Sequence, residues 1–208
     1  MPLIAIDGPA GSGKSTIARA VAARLGLEHL DTGAMYRSVA FAALRDGIDP
    51  ADEAAVADLA TRVAIDVNDH VLVDGEDATE AIRRPDVNVA VSAVAQNPAV
   101  RAELVRRQRA WAGLRPGAVM EGRDIASVVL PGADVKVYLT ASDEERARRR
   151  ARETGQPAHE AVAADLARRD RIDATRAASP LVVADGAVVI DTTGRTIDEV
   201  VDAVLVLL

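Results

Sequence analysis

The stretch Gly8-Pro9-Ala10-Gly11-Ser12-Gly13-Lys14-Ser15 fits the pattern G-x-x-x-x-G-K-[ST] in full, and the pattern works only as the turn between a strand and a helix. Both flanks comply. Leu3-Ile4-Ala5-Ile6 reads as a short buried strand, and residues 15–25 read as a helix. At such a turn the glycines let backbone N–H groups point into one concavity, and the helix N-terminus adds its partial positive charge. A polyphosphate is therefore expected on Gly8, Pro9, Ala10, Gly11, Ser12, Gly13, Lys14, Ser15 and Thr16, held mainly by backbone. Lys14 is expected to reach the β- and γ-phosphates of ATP, and the Ser15 hydroxyl to be a ligand of Mg²⁺, a hard cation that prefers oxygen. Of 25 basic residues only Lys14 and Lys136 are lysines. A chain so biased to arginine still places a compact ammonium where a wider guanidinium would crowd the phosphates.

Around this turn, apolar strands alternate with amphipathic helices, the pattern of a parallel sheet covered on both faces. The expected fold class is α/β, a P-loop NTPase with an arginine-rich lid and an insertion carrying a small antiparallel hairpin. Residues 27–30, 118–120, 135–139 and 188–190 read as further strands. Residues 34–45, 51–60, 88–95, 99–112, 142–153, 159–170 and 196–207 read as helices. Ser142 is placed to cap the fifth of these, with Glu145 at the capping-box position, and Gly155-Gln156-Pro157 breaks the chain after it. In the last helix Ile197, Val200, Val201, Val204 and Leu205 form one apolar stripe, expected to pack on the core. Residues 63–67 and 71–73 alternate apolar and polar around Asn68-Asp69, which predicts a hairpin off the main sheet. At 208 residues the chain suits one domain, with a core at 1–62, 85–150 and 177–208, an insertion at 63–84 and a lid at 151–176.

Composition excludes several classes of function. Aromatic residues make up 2% of the chain, so stacking platforms for single-stranded nucleic acid are nearly missing. A net charge of −7 argues against a nucleic-acid or membrane-surface binder. With no cysteine there is no disulfide, thiolate metal site or thiol nucleophile. No apolar run approaches the ~18 residues of a membrane span. The N-terminus reads as strand and loop rather than a signal peptide, and a cytoplasmic monomer is expected.

Three clusters say what happens to a bound triphosphate. Asp31-Thr32-Gly33-Ala34-Met35-Tyr36-Arg37 lies at the carboxyl end of a strand, where a doubly wound sheet forms its ligand crevice. Glu121-Gly122-Arg123-Asp124 follows a buried strand directly. The third is residues 168–176, preceded by the run Arg146, Arg148, Arg149, Arg150 and Arg152. Transfer of a phosphoryl group between two anionic nucleotides needs dispersed positive charge, and a mobile arginine-rich lid supplies it while shutting out water.

Together these residues resemble the cytidylate kinases, nucleoside monophosphate kinases that phosphorylate CMP. The resemblance runs from Ile4-Ala5-Ile6-Asp7-Gly8-Pro9 through Gln108-Arg109 and Glu121-Gly122-Arg123-Asp124-Ile125 to Pro180-Leu181. It implies that Ser92, Arg101 and Asp124 face the cytosine and that Thr32, Tyr36, Arg169 and Asp173 lie around the sugar. Arg37, Arg123 and Arg176 would hold the acceptor phosphate of CMP or dCMP. Lys14, Arg123, Arg149 and Arg176 would act on the transferred group, although the lid looks short and leaves open which of its arginines reaches it. Glu121 stands where an aspartate is common in the family; with Ser15 it is the expected metal-side oxygen, acting through water. An acceptor phosphate is already anionic and needs no strong base, so His29, His70 and His159, which lie in none of these motifs, are expected to have structural or surface roles. A regulatory GTP switch would need an N-K-x-D stretch, which neither lysine provides. A P-loop kinase for another small acceptor, such as UMP, is the alternative.

Overall fold

The protein is described by a computed structural model covering residues 1–154, 159–176 and 178–208. The chain break expected at Gly155-Gln156-Pro157, and with it the middle of the expected lid, lies outside the described residues. Two compact units emerge, Met1–His29 with Arg115–Leu208, and Leu30–Leu114.

The first unit opens with β1 (Leu3–Asp7), α1 (Lys14–Leu25) and the start of β2 (Glu28–Asp31). The second holds α2 (Thr32–Arg45), α3 (Glu53–Arg62), β3 (Ile65–Val67), β4 (Val71–Val73), β5 (Glu76–Asp77), a 3₁₀ turn, α4 (Pro85–Gln96) and α5 (Pro98–Gly113). The chain then returns with β6 (Ala118–Gly122), a π-helical turn at Ile125–Val129, β7 (Val135–Thr140), α6 (Asp143–Thr154), α7 (His159–Thr175), β8 (Val188–Asp191) and α8 (Ile197–Leu205). The five-stranded parallel sheet has the order β2-β6-β1-β7-β8, so the strand that leads into the phosphate-binding turn is central. A separate antiparallel sheet, β3-β4-β5, contains the expected hairpin and a third short strand.

In the first unit Ile4, Ile6, Val137, Leu139 and Ile190 of the sheet pack with Ile17, Val21, Val200, Val201 and Val204 of α1 and α8. Short aliphatic side chains allow this close approach of helix to sheet. The apolar stripe expected on α8 is shorter than its periodicity suggests: Ile197 is 51% exposed, whereas Val200, Val201 and Val204 are buried. Periodicity specifies a face, but not where the partner surface ends, and Ile197 lies in the first turn. That turn is fixed instead by a capping box, Thr196 and Glu199 satisfying each other's backbone N–H. At α6 Ser142 does accept the Glu145 N–H, at 3.2 Å, while the Glu145 carboxylate turns to Arg148 and Arg149.

In the second unit α2 begins at Thr32, two residues earlier than the apolar pattern predicts, because Asp31 accepts the Ala34 N–H at 3.0 Å and caps the helix. Asn97 does the same for α5, accepting from Ala99 and Val100. The hub of this unit is Arg107. Its guanidinium donates to the carbonyls of Val63, Ala60 and Thr61 at 2.7, 2.8 and 3.0 Å, and Nε donates to Glu103 at 2.7 Å. The end of α3 thereby gains partners for carbonyls that its own ladder leaves unsatisfied. Arg107→Ala is expected to lower stability by about 3 kcal/mol, the scale of charge-assisted bonds lost at part-buried acceptors. Urea unfolding followed by Trp111 fluorescence measures it. Arg107→Lys should recover less than half, since one ammonium cannot span three carbonyls.

Candidate active site

Gly8 opens the phosphate-binding turn with φ 150°, and Gly11 and Gly13 follow at 75° and 90°. A Cβ on Gly8 would lie 2.1 Å from the Leu139 carbonyl oxygen, so the turn lies against β7 with no room for a side chain. Lys14 is buried, and its Nζ donates to the Pro9 carbonyl at 3.0 Å. The Ser15 hydroxyl donates to Glu121 Oε2 at 2.9 Å. Register explains the meeting: Ile6 pairs with Glu121 and Asp7 with Gly122, so the ends of β1 and β6 lie level. Glu121 is only 2% exposed. Burial works against its charge, but His29, the Lys14 ammonium and the Ser15 hydroxyl together hold its pKa below the usual glutamate value. Asp7 differs. Burial pushes its pKa from 3.8 up to about 6, against two backbone bonds that it accepts at 2.8 Å from Ile125 and Ala126. These bonds fasten the π-helical turn, and the Arg123-Asp124 pair before it, to the strand leading into the phosphate-binding turn.

Of the residues expected at an acceptor phosphate and sugar, Arg123, Arg169, Asp173 and Arg176 form a second cluster in the same unit. Arg123 Nε donates to Asp173 Oδ2 at 2.8 Å. Arg176, 3% exposed at its side chain, donates to the Ser179 carbonyl at 2.6 Å and lies 3.4 Å from Asp173 and 3.5 Å from Asp124. Burial would lower the Arg123 pKa, yet Asp173 foremost, with Asp170 and Glu121, raises it above the ordinary value. Arg169 moves the other way, lowered by burial and then by the charges of Arg123 and Arg150. Cations are thus crowded here, as they are where an anion is to be bound. Arg149 lies beside the phosphate-binding turn: it donates to the Ser12 carbonyl at 3.3 Å, the Thr192 hydroxyl at 2.9 Å and the Thr192 carbonyl at 2.8 Å. Arg146 donates to the Ala10 carbonyl at 3.1 Å and pairs with Asp170 of α7.

The remaining expected site residues belong to the second unit. The Arg101 guanidinium lies over the Tyr36 ring, 5.3 Å from its centroid, and also donates to the Ala95 carbonyl at 3.2 Å. Arg37 donates to Asn88 Oδ1 at 2.6 Å and to the Ile82 carbonyl at 3.1 Å. Thr32 is buried at the first turn of α2. Ser92 sits on α4, where its carbonyl accepts the Gln96 amide.

Sequence reasoning passed over three participants. His29, expected to stand apart from the site, has Nε2 at 3.5 Å from Glu121 Oε1. Its position two residues before Asp31, on a strand ending at the crevice, was the available signal. His70 lies beside the exposed Asp77. Asp7 and Thr192 carry no motif of their own, and only long-range pairing reveals them.

For Mg²⁺ the fit is favourable. Ser15 and Glu121 offer adjoining hard oxygens beside the phosphate-binding turn, and Mg²⁺ characteristically takes one or two protein oxygens together with phosphate and water. Among the described residues no group of three or more His, Cys, Asp or Glu forms a metal cage, and no helix is long and apolar enough to cross a membrane.

Known proteins resemble the chain over nearly its whole length. A cytidylate kinase of Pelotomaculum thermopropionicum is 49% identical, over 98% of this chain and 94% of that one. A cytidylate kinase of Desulfitobacterium hafniense is 50% identical, over 97% and 90%. A bifunctional pantoate ligase/cytidylate kinase of a Synechococcus strain is 48% identical, with 98% of this chain matching 44% of that longer protein. Among solved structures, a shikimate kinase of Acinetobacter baumannii superposes with a TM-score of 0.50 at 20% identity, covering 100% of this chain and 92% of that one, a likeness of fold alone. The cytidylate kinase family pattern matches residues 4–208. With a phosphate-binding turn set against a crowded group of arginines and a match over nearly its whole length, the chain belongs to the cytidylate kinase family.

Proposed function

We propose that the protein transfers the γ-phosphoryl of ATP to CMP, and also to dCMP, giving ADP and the pyrimidine diphosphate. The observation that carries this reading is the crowding of Arg123, Arg169 and Arg176 around Asp124 and Asp173 in the unit that holds the phosphate-binding turn. Such a group suits a dianionic acceptor beside a base that needs an acidic reader. In this reading the backbone N–H groups of residues 8–16, Pro9 excepted, cradle the donor phosphates and Lys14 meets the β- and γ-oxygens. Ser15 and Glu121 would hold Mg²⁺, which supplies neutralising charge on the donor phosphates. Arg37, Arg123 and Arg176 bind the acceptor phosphate, and Arg149, in the arginine run just before the lid, is proposed to meet the transferred group. Thr32, Tyr36, Arg169 and Asp173 bind the sugar. No strong base is needed, because the acceptor oxygen is already anionic; rate comes from positioning and charge neutralisation. The chain is further proposed to work as one monomeric kinase domain, with residues 63–84 as the monophosphate-side insertion and 151–176 as the lid.

Base choice follows from hydrogen-bonding chemistry. Cytosine offers an amino donor beside the acceptors N3 and O2. Asp124 is proposed to accept from N4, and Arg101 and Ser92 to serve the acceptor edge. Uracil places an acceptor where cytosine has its donor, so UMP is the poorer substrate. Asp124→Asn should narrow the CMP-over-UMP ratio of kcat/KM by about 1–3 kcal/mol, because an amide can turn a donor toward O4. An unchanged ratio removes Asp124 from base reading.

The reading as a whole is tested by an acceptor panel of CMP, dCMP, UMP, AMP and shikimate at fixed ATP and Mg²⁺. CMP and dCMP should lead. A clear preference for any of the other three overturns the proposal.

A further inference from the structure

The phosphate-binding turn works by pointing N–H groups inward, and a trans peptide places its carbonyl on the side opposite its N–H. An inward Gly13 N–H therefore requires an outward Ser12 carbonyl. Gly13 has φ 90° and tolerates either hand of backbone, so local sterics alone do not fix that peptide. Something outside the turn must hold it.

Thr192, which follows β8, is placed to do so. It is 2% exposed. Its hydroxyl lies 3.1 Å from the Ser12 carbonyl oxygen and 3.0 Å from that of Thr140, and it accepts from Arg149 Nη1 at 2.9 Å. A hydroxyl has one proton to give. Both carbonyls lie within reach of that proton, but the Thr140 carbonyl also accepts the Thr192 backbone N–H at 2.8 Å, so its place does not rest on the hydroxyl. Arg149 Nη1 reaches the same Ser12 oxygen at 3.3 Å. The Ser12–Gly13 peptide is thus gripped from outside by a buried hydroxyl and by a guanidinium that the hydroxyl itself orients.

We infer that Thr192 is a positioning residue for the donor nucleotide, fixing the Ser12–Gly13 peptide, and so the inward Gly13 N–H, through its hydroxyl. The inference rests on ATP being the ligand of the turn, as proposed above. Thr192 touches no phosphate; it acts through Ser12 and Arg149.

The test compares wild type with Thr192→Val, which keeps the shape and removes the hydroxyl, and Thr192→Ser, which keeps the hydroxyl. ATP affinity is read by calorimetry without acceptor, and KM for ATP and for CMP in the full reaction. Thr192→Val should weaken ATP binding about ten-fold, the size of one lost buried hydrogen bond, and leave KM for CMP within about two-fold. Thr192→Ser should bind ATP as wild type does. Unchanged ATP affinity in Thr192→Val overturns the inference, and so does a Thr192→Ser as impaired as Thr192→Val. A lowered melting temperature with intact ATP binding also overturns it, reducing Thr192 to a stitch between β7 and β8. Should Thr192→Val not fold, Thr192→Cys, with similar size and a weak donor, is ranked against Thr192→Ser in its place. A wild type that binds ATP but ignores CMP would sink the proposed acceptor and leave this comparison standing.

Discussion

Lys14→Ala should lower kcat by a factor on the order of 10² to 10³ while the protein still folds and still binds nucleotide. The backbone N–H groups of the turn do not depend on this side chain, so ATP affinity should fall far less than turnover. The ammonium is already within the turn, buried and donating to the Pro9 carbonyl at 3.0 Å, so bringing it to a phosphate requires only a side-chain rotation. Its charge also helps to hold down the pKa values of Glu121 and Asp7, and both should rise when it is removed. Lys14→Arg should rescue poorly, because a planar fork does not fit a space shaped for a compact ammonium. The measurement is a pair, ATP affinity by calorimetry and single-turnover transfer to CMP. Near-normal transfer in Lys14→Ala would remove the turn from the chemistry.

Gly8→Ala should cost about 3–5 kcal/mol of stability, combining overpacking with a backbone conformation that L side chains avoid. The new Cβ would stand 2.1 Å from the Leu139 carbonyl oxygen, a backbone atom of a central strand that cannot swing aside as a flexible side chain can. Either β7 moves away from β1 or the turn lifts off the sheet, and both disturb the phosphate cradle. A lower denaturation midpoint at unchanged slope registers the first effect, and weaker ATP binding the second. A Gly8→Ala protein as stable as wild type would show that the turn can shift without loss. Gly26 makes the contrast: it caps α1 with φ 64°, but a Cβ there meets nothing within 4 Å, so Gly26→Ala should cost only the backbone term of about 1–2 kcal/mol.

What could be read in the sequence was whatever local chemistry decides. The phosphate-binding turn announces itself by spacing, and β1, β6 and β7 by runs of aliphatic residues too short for helices. What could not be read was decided by distant partners. The π-helical turn at Ile125–Val129 has an ordinary local pattern, and it is held by Asp7 from the far end of the sequence. His29 acquires a part in the site only because its strand, β2, lies beside β6, the strand that carries Glu121. Ile197 kept its place in an apolar period but lost its partner surface. In each case the sequence pattern stated a preference, and tertiary placement decided its use.

The central place of β1 has a consequence for how the chain is made. This strand leaves the ribosome well before the strands that flank it, β6 and β7, which begin only at Ala118 and Val135. Everything in Leu30–Leu114 emerges in between and can complete its own compact unit, while Leu3-Ile4-Ala5-Ile6 waits as an unpaired apolar segment. Such long-range pairing is slow to form, and its waiting segment is open to wrong partners. The glycine turn next to it packs against Leu139, which emerges later still. Nucleotide binding is therefore a late event in biogenesis, and a nascent chain that retains ATP has already closed the centre of its sheet.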